Sequence, residues 1–264
     1  MQLTPSIPLK AFGIVIGALL VLPTLVVVPM SFSPGDILSF PPQGFSLRWY
    51  RFVFTESTWT TAIIQSLKIA ILTTILSLVL GIATALAMVR GRLRLTGPLQ
   101  ILVLSPMIMP LVVLAVGMFF VFSDWRLLGS VGGLVLAHTV LAYPLVYLSV
   151  STSLQGSDES LELASASLGG GRLYTLRRVT LPLIAPGVLT GALFAFTMSW
   201  DELILSIFLS GPTVKTLPVR MWEQIQTELT PALAAAATLV MALTITLILV
   251  AAWIASTRRK ALKS

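Results

Sequence analysis

Near the far end of a long apolar run the chain sets Trp200, Asp201 and Glu202 side by side. Two carboxylates beside an indole have the chemistry to hold a cation, the acids by charge and the ring by its face. If the helix that carries them enters the hydrocarbon near Val188, Asp201 lies about 13 residues, or roughly 20 Å, further along at 1.5 Å per residue, past the midplane. Ionisable groups at that depth are costly unless they face water or a partner, so the pair is expected to serve a pathway. Neighbouring helical positions point about 100° apart, so one acid, Asp201 by preference, should face the pathway and the other a neighbouring helix. Two further arrangements stay open: a helix break near Trp200 that leaves the acids at the outer interface, or pairing with Lys68 or a partner subunit.

Other chemistries lack their residues. There is no cysteine, hence no disulfide, thiolate metal site or cysteine nucleophile, and the one histidine, His138, reads as a packed, hydrogen-bonded side chain. No metal site is expected, and Met107, Met109 and Met118 read as packing. No Ser/His pair, paired catalytic aspartates on two spans or His-Glu motif points to an intramembrane enzyme. The glycines Gly169, Gly170 and Gly171 lack the Lys-Ser/Thr that completes a phosphate loop, so ATP hydrolysis is not expected of this chain.

The elements that must position these residues are apolar. The chain is 56% hydrophobic and 10% charged over 264 residues, with a mean hydropathy of +0.96. So few charges do not cover a soluble surface. Runs near the roughly 20 residues needed to cross a bilayer recur along the whole sequence. The reading is all-α, one transmembrane domain over 1–264, with six spans at about 11–30, 62–89, 98–122, 131–154, 182–209 and 232–256. Pro106 and Pro110 should kink the third span, and Pro144 lies in the fourth. Between the first two spans, Pro34, Gly35, Pro41, Pro42 and Gly44 mark a loop, and Trp49, Tyr50, Phe52 and Phe54 an interfacial helix. The outer segment from Lys215 to Glu228 reads either as a docking surface or as a solvated amphipathic helix.

The net charge of +7 is a matter of topology rather than of nucleic acid, because the basic residues gather between spans. Eleven fall in one set of segments: Lys10, Arg90, Arg92, Arg94, Arg172, Arg177, Arg178, Arg258, Arg259, Lys260 and Lys263. Five fall in the other: Arg48, Arg51, Arg126, Lys215 and Arg220. Lysine and arginine exceed on the cytoplasmic side, so both termini are expected inside.

The longest inner loop, 155–181, is more than a tether. Asp158 to Leu168 is a good helix former with acids in its first turn, where the helix dipole favours them. Gly169, Gly170 and Gly171 end it. A second short helix, Leu173 to Val179, leads to Leu181-Pro182 and the fifth span, proline suiting a first turn.

This loop resembles that of import permeases of the ATP-binding-cassette type, whose pattern is Glu-Ala-Ala, then glycine, then an aliphatic residue shortly before Leu-Pro. Aligned on Leu181-Pro182, Val179 takes the aliphatic position, Gly169 and the adjoining Gly170 the glycine, and Ala164 the first alanine. Leu163 stands where the family has glutamate and Ser165 where it has the second alanine. The nearest acid, Glu162, is one residue early, so either Glu162 meets the ATPase from a neighbouring face or this subunit manages without that contact. Phe45 to Tyr50, Gln65 to Ala70, Leu104 to Pro110, Ser199 to Leu203, Ser210 to Thr213 and Thr216 to Pro218 extend the similarity toward spermidine/putrescine permeases.

The resemblance implies a MetI-like, type I importer fold in a bacterial inner membrane. It implies a second permease as heterodimer partner, an ATP-binding-cassette ATPase dimer that carries ATP and Mg, and an extracytoplasmic substrate-binding protein. It further implies import of a small cationic solute such as a polyamine, with an opine, an aminophosphonate or another small organic solute as alternatives. This chain would bind no cofactor and be no enzyme. A stand-alone secondary transporter would be expected to show internal repeats, and none is found.

Overall fold

The computed structural model describes residues 7–91 and 96–261, with side chains from Ala11 onward. Of the basic residues used for orientation, Arg92, Arg94 and Lys263 lie outside the described residues, as do the side chains of Lys10, Arg258, Arg259 and Lys260. Every regular element described is helical. In chain order they are α1 (Ile7–Met30), α2 (Arg48–Thr55), α3 (Ser57–Val89), α4 (Thr96–Ile108), α5 (Leu111–Asp124), α6 (Val131–Gln155), α7 (Ser160–Ser167), α8 (Arg172–Thr175), a π-helical turn (Leu176–Thr180), α9 (Leu181–Trp200), α10 (Ile204–Leu209), α11 (Leu217–Thr227) and α12 (Pro231–Ala261). Five stretches are long and apolar enough to cross a membrane: Ala11–Met30, Ser57–Val89, Val131–Gln155, Arg172–Trp200 and Pro231–Ile254. The pair α4 and α5, bent by 102°, makes a sixth when counted as one span.

That bend corrects the kinked third span expected at 98–122. Pro110 has no N–H to continue the helix and disfavours helical geometry at the residue before it, so α4 stops and α5 starts afresh on the Pro110 carbonyl, which accepts from Val113 at 2.9 Å. The expected fifth span, 182–209, is likewise interrupted: α9 ends at Trp200, and α10 begins after a break at 201–203. The fifth span also has no separate helix before it. α8, the π-helical turn and α9 run on as one rod from Arg172 to Trp200. Pro182 explains the widened turn. In a regular helix its ring would crowd the carbonyl four residues back; here Leu181 N–H instead reaches the carbonyl of Leu176, five back, and the backbone passes the proline without stopping.

The chain gathers into two compact units, Met1–Thr60 with Met221–Ala242, and Thr61–Arg220 with Leu243–Ser264. In the first, α1 is exposed from Ala11 to Pro23 and partly covered from Val26 to Met30. The loop after it is ordered by side chains. Phe32 stacks on Phe45 at 4.7 Å, the Ser31 and Tyr50 hydroxyls meet at 2.7 Å, and Trp49 donates its indole N–H to the Gly35 carbonyl at 2.9 Å. Arg48 pairs with Asp36 at 2.9 Å and lies over the Trp49 ring. These contacts seat the amphipathic α2 expected from its aromatic residues, with Trp49 and Val53 buried.

The second unit is built on α6, its most buried helix. α9 packs along α6 through a stripe of small residues four apart, Gly187, Gly191, Ala195 and Ser199, all buried. A Cβ at Gly187 would come within 2.5 Å of Ser153 Cβ and 2.6 Å of the Ser149 carbonyl oxygen. A Cβ at Gly191 would meet Val146 Cα at 3.2 Å, and one at Gly81 of α3 would meet the Val146 side chain at 2.6 Å. Lipid gives no hydrophobic drive for helices to associate, so close backbone approach and dispersion hold this pair. Toward the other end of α6, Leu134, Val135, Ala137 and Leu141 form a core with Phe122 of α5 and Leu205 and Leu209 of α10.

Candidate functional site

The inner loop is assembled from its sequence step by step. Asp158 accepts the N–H of Ser160 at 2.9 Å, and that bond holds its exposed carboxyl below the usual carboxylate range. The helix it introduces, α7, ends in a paired cap. Gly169 N–H donates to Ala166 O at 3.0 Å and Gly170 N–H to Ser165 O at 2.9 Å, with Gly169 in the left-handed region at φ 86°. A side chain at Gly169 would be strained by its backbone; one at Gly170 would meet the Ser165 carbonyl oxygen at 2.7 Å. Ser165, which replaces the family's second alanine, bonds its hydroxyl to that of Thr175 at 2.8 Å and so ties α7 to α8.

Glu162 and Leu163 part company. Glu162 turns inward, its carboxylate 3.4 Å from Arg90 Nε at the end of α3, and both side chains are less than one-fifth exposed. Leu163 is 63% exposed. Between α7 and the rod lies a cavity of about 930 Å³ lined by Ala164, Ser165, Gly169, Gly170, Val179 and Pro182 among others, with Leu168 almost fully exposed at its rim. Leu181 follows in the rod, partly buried against the α6 end of the core. Of the loop residues singled out from sequence, Ala164, Ser165, Gly169, Gly170, Val179 and Pro182 line this one cavity, whereas Leu163 is exposed outside it, Leu181 packs on the core and Glu162 pairs with Arg90.

The acids of the fifth span also divide. Glu202 is buried; its two carboxylate oxygens accept the N–H groups of Leu205 at 2.8 Å and Ser206 at 2.9 Å, where the positive end of α10 begins. His138 of α6 stands beside it. Its Nε2 is 3.1 Å from Ser206 Oγ and 3.6 Å from Glu202, and its Nδ1 is 2.8 Å from Ser199 Oγ. A buried polar network thus closes over the break: three helices, four side chains. Asp201, the last residue bonded to α9 through Thr197 O, is exposed. Trp200 does not present its ring to a pathway as expected. It is 3% exposed and stacked on Phe196, because the break turns the chain just after it and leaves it on the packed face of α9.

The small-residue stripe of α9 and the role of Arg90 were not found from sequence. Gly187 and Gly191 stand four apart, a spacing that could have signalled close helix packing. From the sequence Arg90 reads only as a topogenic charge.

The family described as the inner membrane component of binding-protein-dependent transport systems matches residues 77–260, more than half of the chain. The chain belongs to this family. Among its relatives, the spermidine/putrescine transport system permease protein PotC of Haemophilus influenzae is 33% identical over 90% of this chain and 93% of its own length. The putrescine transport system permease protein PotI of Escherichia coli K12 is 30% identical over 83% of this chain and 80% of its own. In structure, the chain resembles a subunit of a bacterial alginate ABC transporter solved with a pentasaccharide-bound periplasmic protein. The TM-score is 0.70 at 15% identity, over 92% of this chain and 91% of that one, which bears on the fold. As an inner membrane component of this family, the chain is a multi-pass permease subunit of an ABC importer, and the broken third and fifth spans are features of that permease.

Proposed function

We propose that this permease subunit, with a second permease, forms the pathway by which an ATP-driven importer moves a small cationic solute, a polyamine of the spermidine/putrescine class, into a bacterial cell. The polyamine permeases among its relatives support the substrate class. The observation that carries the mechanism is the unbroken rod from Arg172 to Trp200. Its inner end forms one wall of the apolar cavity at the loop, and its outer end releases the exposed carboxylate of Asp201.

In this reading the ATPase dimer, which holds ATP and Mg, seats on 155–181, gripping Ala164, Gly169, Gly170 and Val179 by shape and Leu163 and Leu168 by apolar contact. Both termini lie in the cytoplasm and the chain sits in the inner membrane, in keeping with the excess of lysine and arginine on that side. A binding protein delivers solute from outside. A push at the loop travels along the rod as a rigid body and moves Asp201, which draws a protonated amine through a solvated space. Glu202 is buried with each carboxylate oxygen bonded to the start of α10, so the exposed Asp201 carries this role.

The test is uptake in proteoliposomes that hold the complete complex and its binding protein. Labelled spermidine or putrescine should accumulate only with ATP, and Asp201→Asn should raise the KM for solute about tenfold, as loss of a charge contact of about 1.4 kcal/mol would. A binding protein stabilised by anions alone would sink the cation assignment. Transport by this chain without an ATPase would sink the importer mechanism.

A further inference from the structure

Arg90 stands at the cytoplasmic end of α3 with its guanidinium mostly buried, and it meets three elements at once. Its Nη2 donates to the carbonyl oxygen of Leu154 at 3.1 Å, to that of Ser157 at 3.3 Å, and to Ser157 Oγ at 2.9 Å. Its Nε faces Glu162 at 3.4 Å. Leu154 and Ser157 are the last turn of α6 and the residues just after it, where helix carbonyls have no intrahelical partner and a cation is favoured. Glu162 is in the first turn of α7, where an anion is favoured for the opposite reason. One planar fork therefore adds to the bonds that Ser157 already gives the Leu154 carbonyl at the end of the fourth span and holds the start of the loop helix, while its own backbone is the end of the second span.

We infer that Arg90 is a positioning residue for energy coupling: it joins the ends of the second and fourth spans to α7, so that force on the loop moves those spans as well as the rod. This rests on the importer reading above and adds to it a second route of transmission. The rod links the loop to the fifth span through the backbone. The fourth span runs by backbone into the other end of the loop, whereas the second span is tied to it by the Arg90 side chain, a link that can be cut without breaking the chain. The position of Leu163 makes the assignment more pointed. With leucine exposed in the glutamate position and Glu162 committed to Arg90, the acid nearest that position works inside the subunit.

The experiment uses the assembled complex in proteoliposomes with its binding protein, and reads three quantities for each variant: ATPase copurified with the permease, ATP hydrolysed, and solute imported. For Arg90→Ala the ATPase should still copurify, and ATP hydrolysed per solute imported should rise about fivefold, the low end of coupling between separate sites. Glu162→Gln keeps the three bonds to the end of α6 and should shift the ratio in the same direction by less. Arg90→Lys, which keeps charge but not the fork, should fall between Arg90→Ala and wild type. If hydrolysis and uptake fall in parallel with the ratio unchanged, or if both Arg90→Ala and Glu162→Gln keep the wild-type ratio, the inference is overturned. A wild-type complex whose uptake is indifferent to ATP overturns instead the importer reading on which it rests.

Discussion

Asp201 and Glu202 share a chemistry and differ in what the backbone does with them. Glu202 completes two buried N–H groups at the start of α10, a task only an acceptor can perform. Glu202→Ala should therefore lower the stability of the subunit by about 1–3 kcal/mol, the cost of leaving buried donors unsatisfied, read as thermal unfolding in detergent. Glu202→Gln keeps one acceptor and should lose less. Asp201→Asn removes no such bond and should unfold at the wild-type temperature, so that any transport defect it causes is separable from folding. His138→Ala should behave like Glu202→Ala in direction, since it leaves Ser199 and Ser206 without their shared partner across the break.

At the scale of the helix, the contact of α6 with α9 depends on absent side chains. Gly187→Leu forces a side chain against Ser153 and the Ser149 carbonyl and should abolish stable insertion or cost several kcal/mol, Gly191→Leu less, because its nearest neighbour stands at 3.2 Å rather than 2.5 Å. Gly132→Leu meets nothing within 4 Å and is the matched control. Membrane levels and unfolding temperature of the three variants should rank in that order, and equal levels would argue against close packing as the glue. At α7, Gly169→Ala should cost about 1–2 kcal/mol locally through its left-handed backbone, although nothing crowds the added methyl.

For the molecule as a whole, the absence of native cysteine makes orientation directly measurable. Thr213→Cys should react with an impermeant maleimide added outside intact cells, and Ser160→Cys only after the membrane is opened. The reverse pattern would invert the topology, and with it the side on which the apolar loop cavity meets a partner. α1 belongs to the same scale. Its stretch from Ala11 to Pro23 is exposed, so lipid or a second subunit must cover it.

What the sequence determined by itself was the class of molecule: mean hydropathy and the recurrence of apolar runs dictate a polytopic helical protein, and the spacing from Gly169 to Leu181-Pro182 marks the inner loop. Such features are local, a matter of length, period and turn chemistry. Tertiary structure decided the rest. Whether Pro110 merely kinks a span or ends it, whether Pro182 starts a helix or sits inside one, and which of two adjacent acids stays exposed all depend on what neighbouring helices offer. Glu202 is buried because α10 begins two residues later with N–H groups that need an acceptor and α6 brings His138 to the same place. Glu162 is withdrawn from the loop surface because Arg90, 72 positions earlier, reaches it from the end of another span. Contacts between residues so far apart follow from packing, and no period along the chain records them.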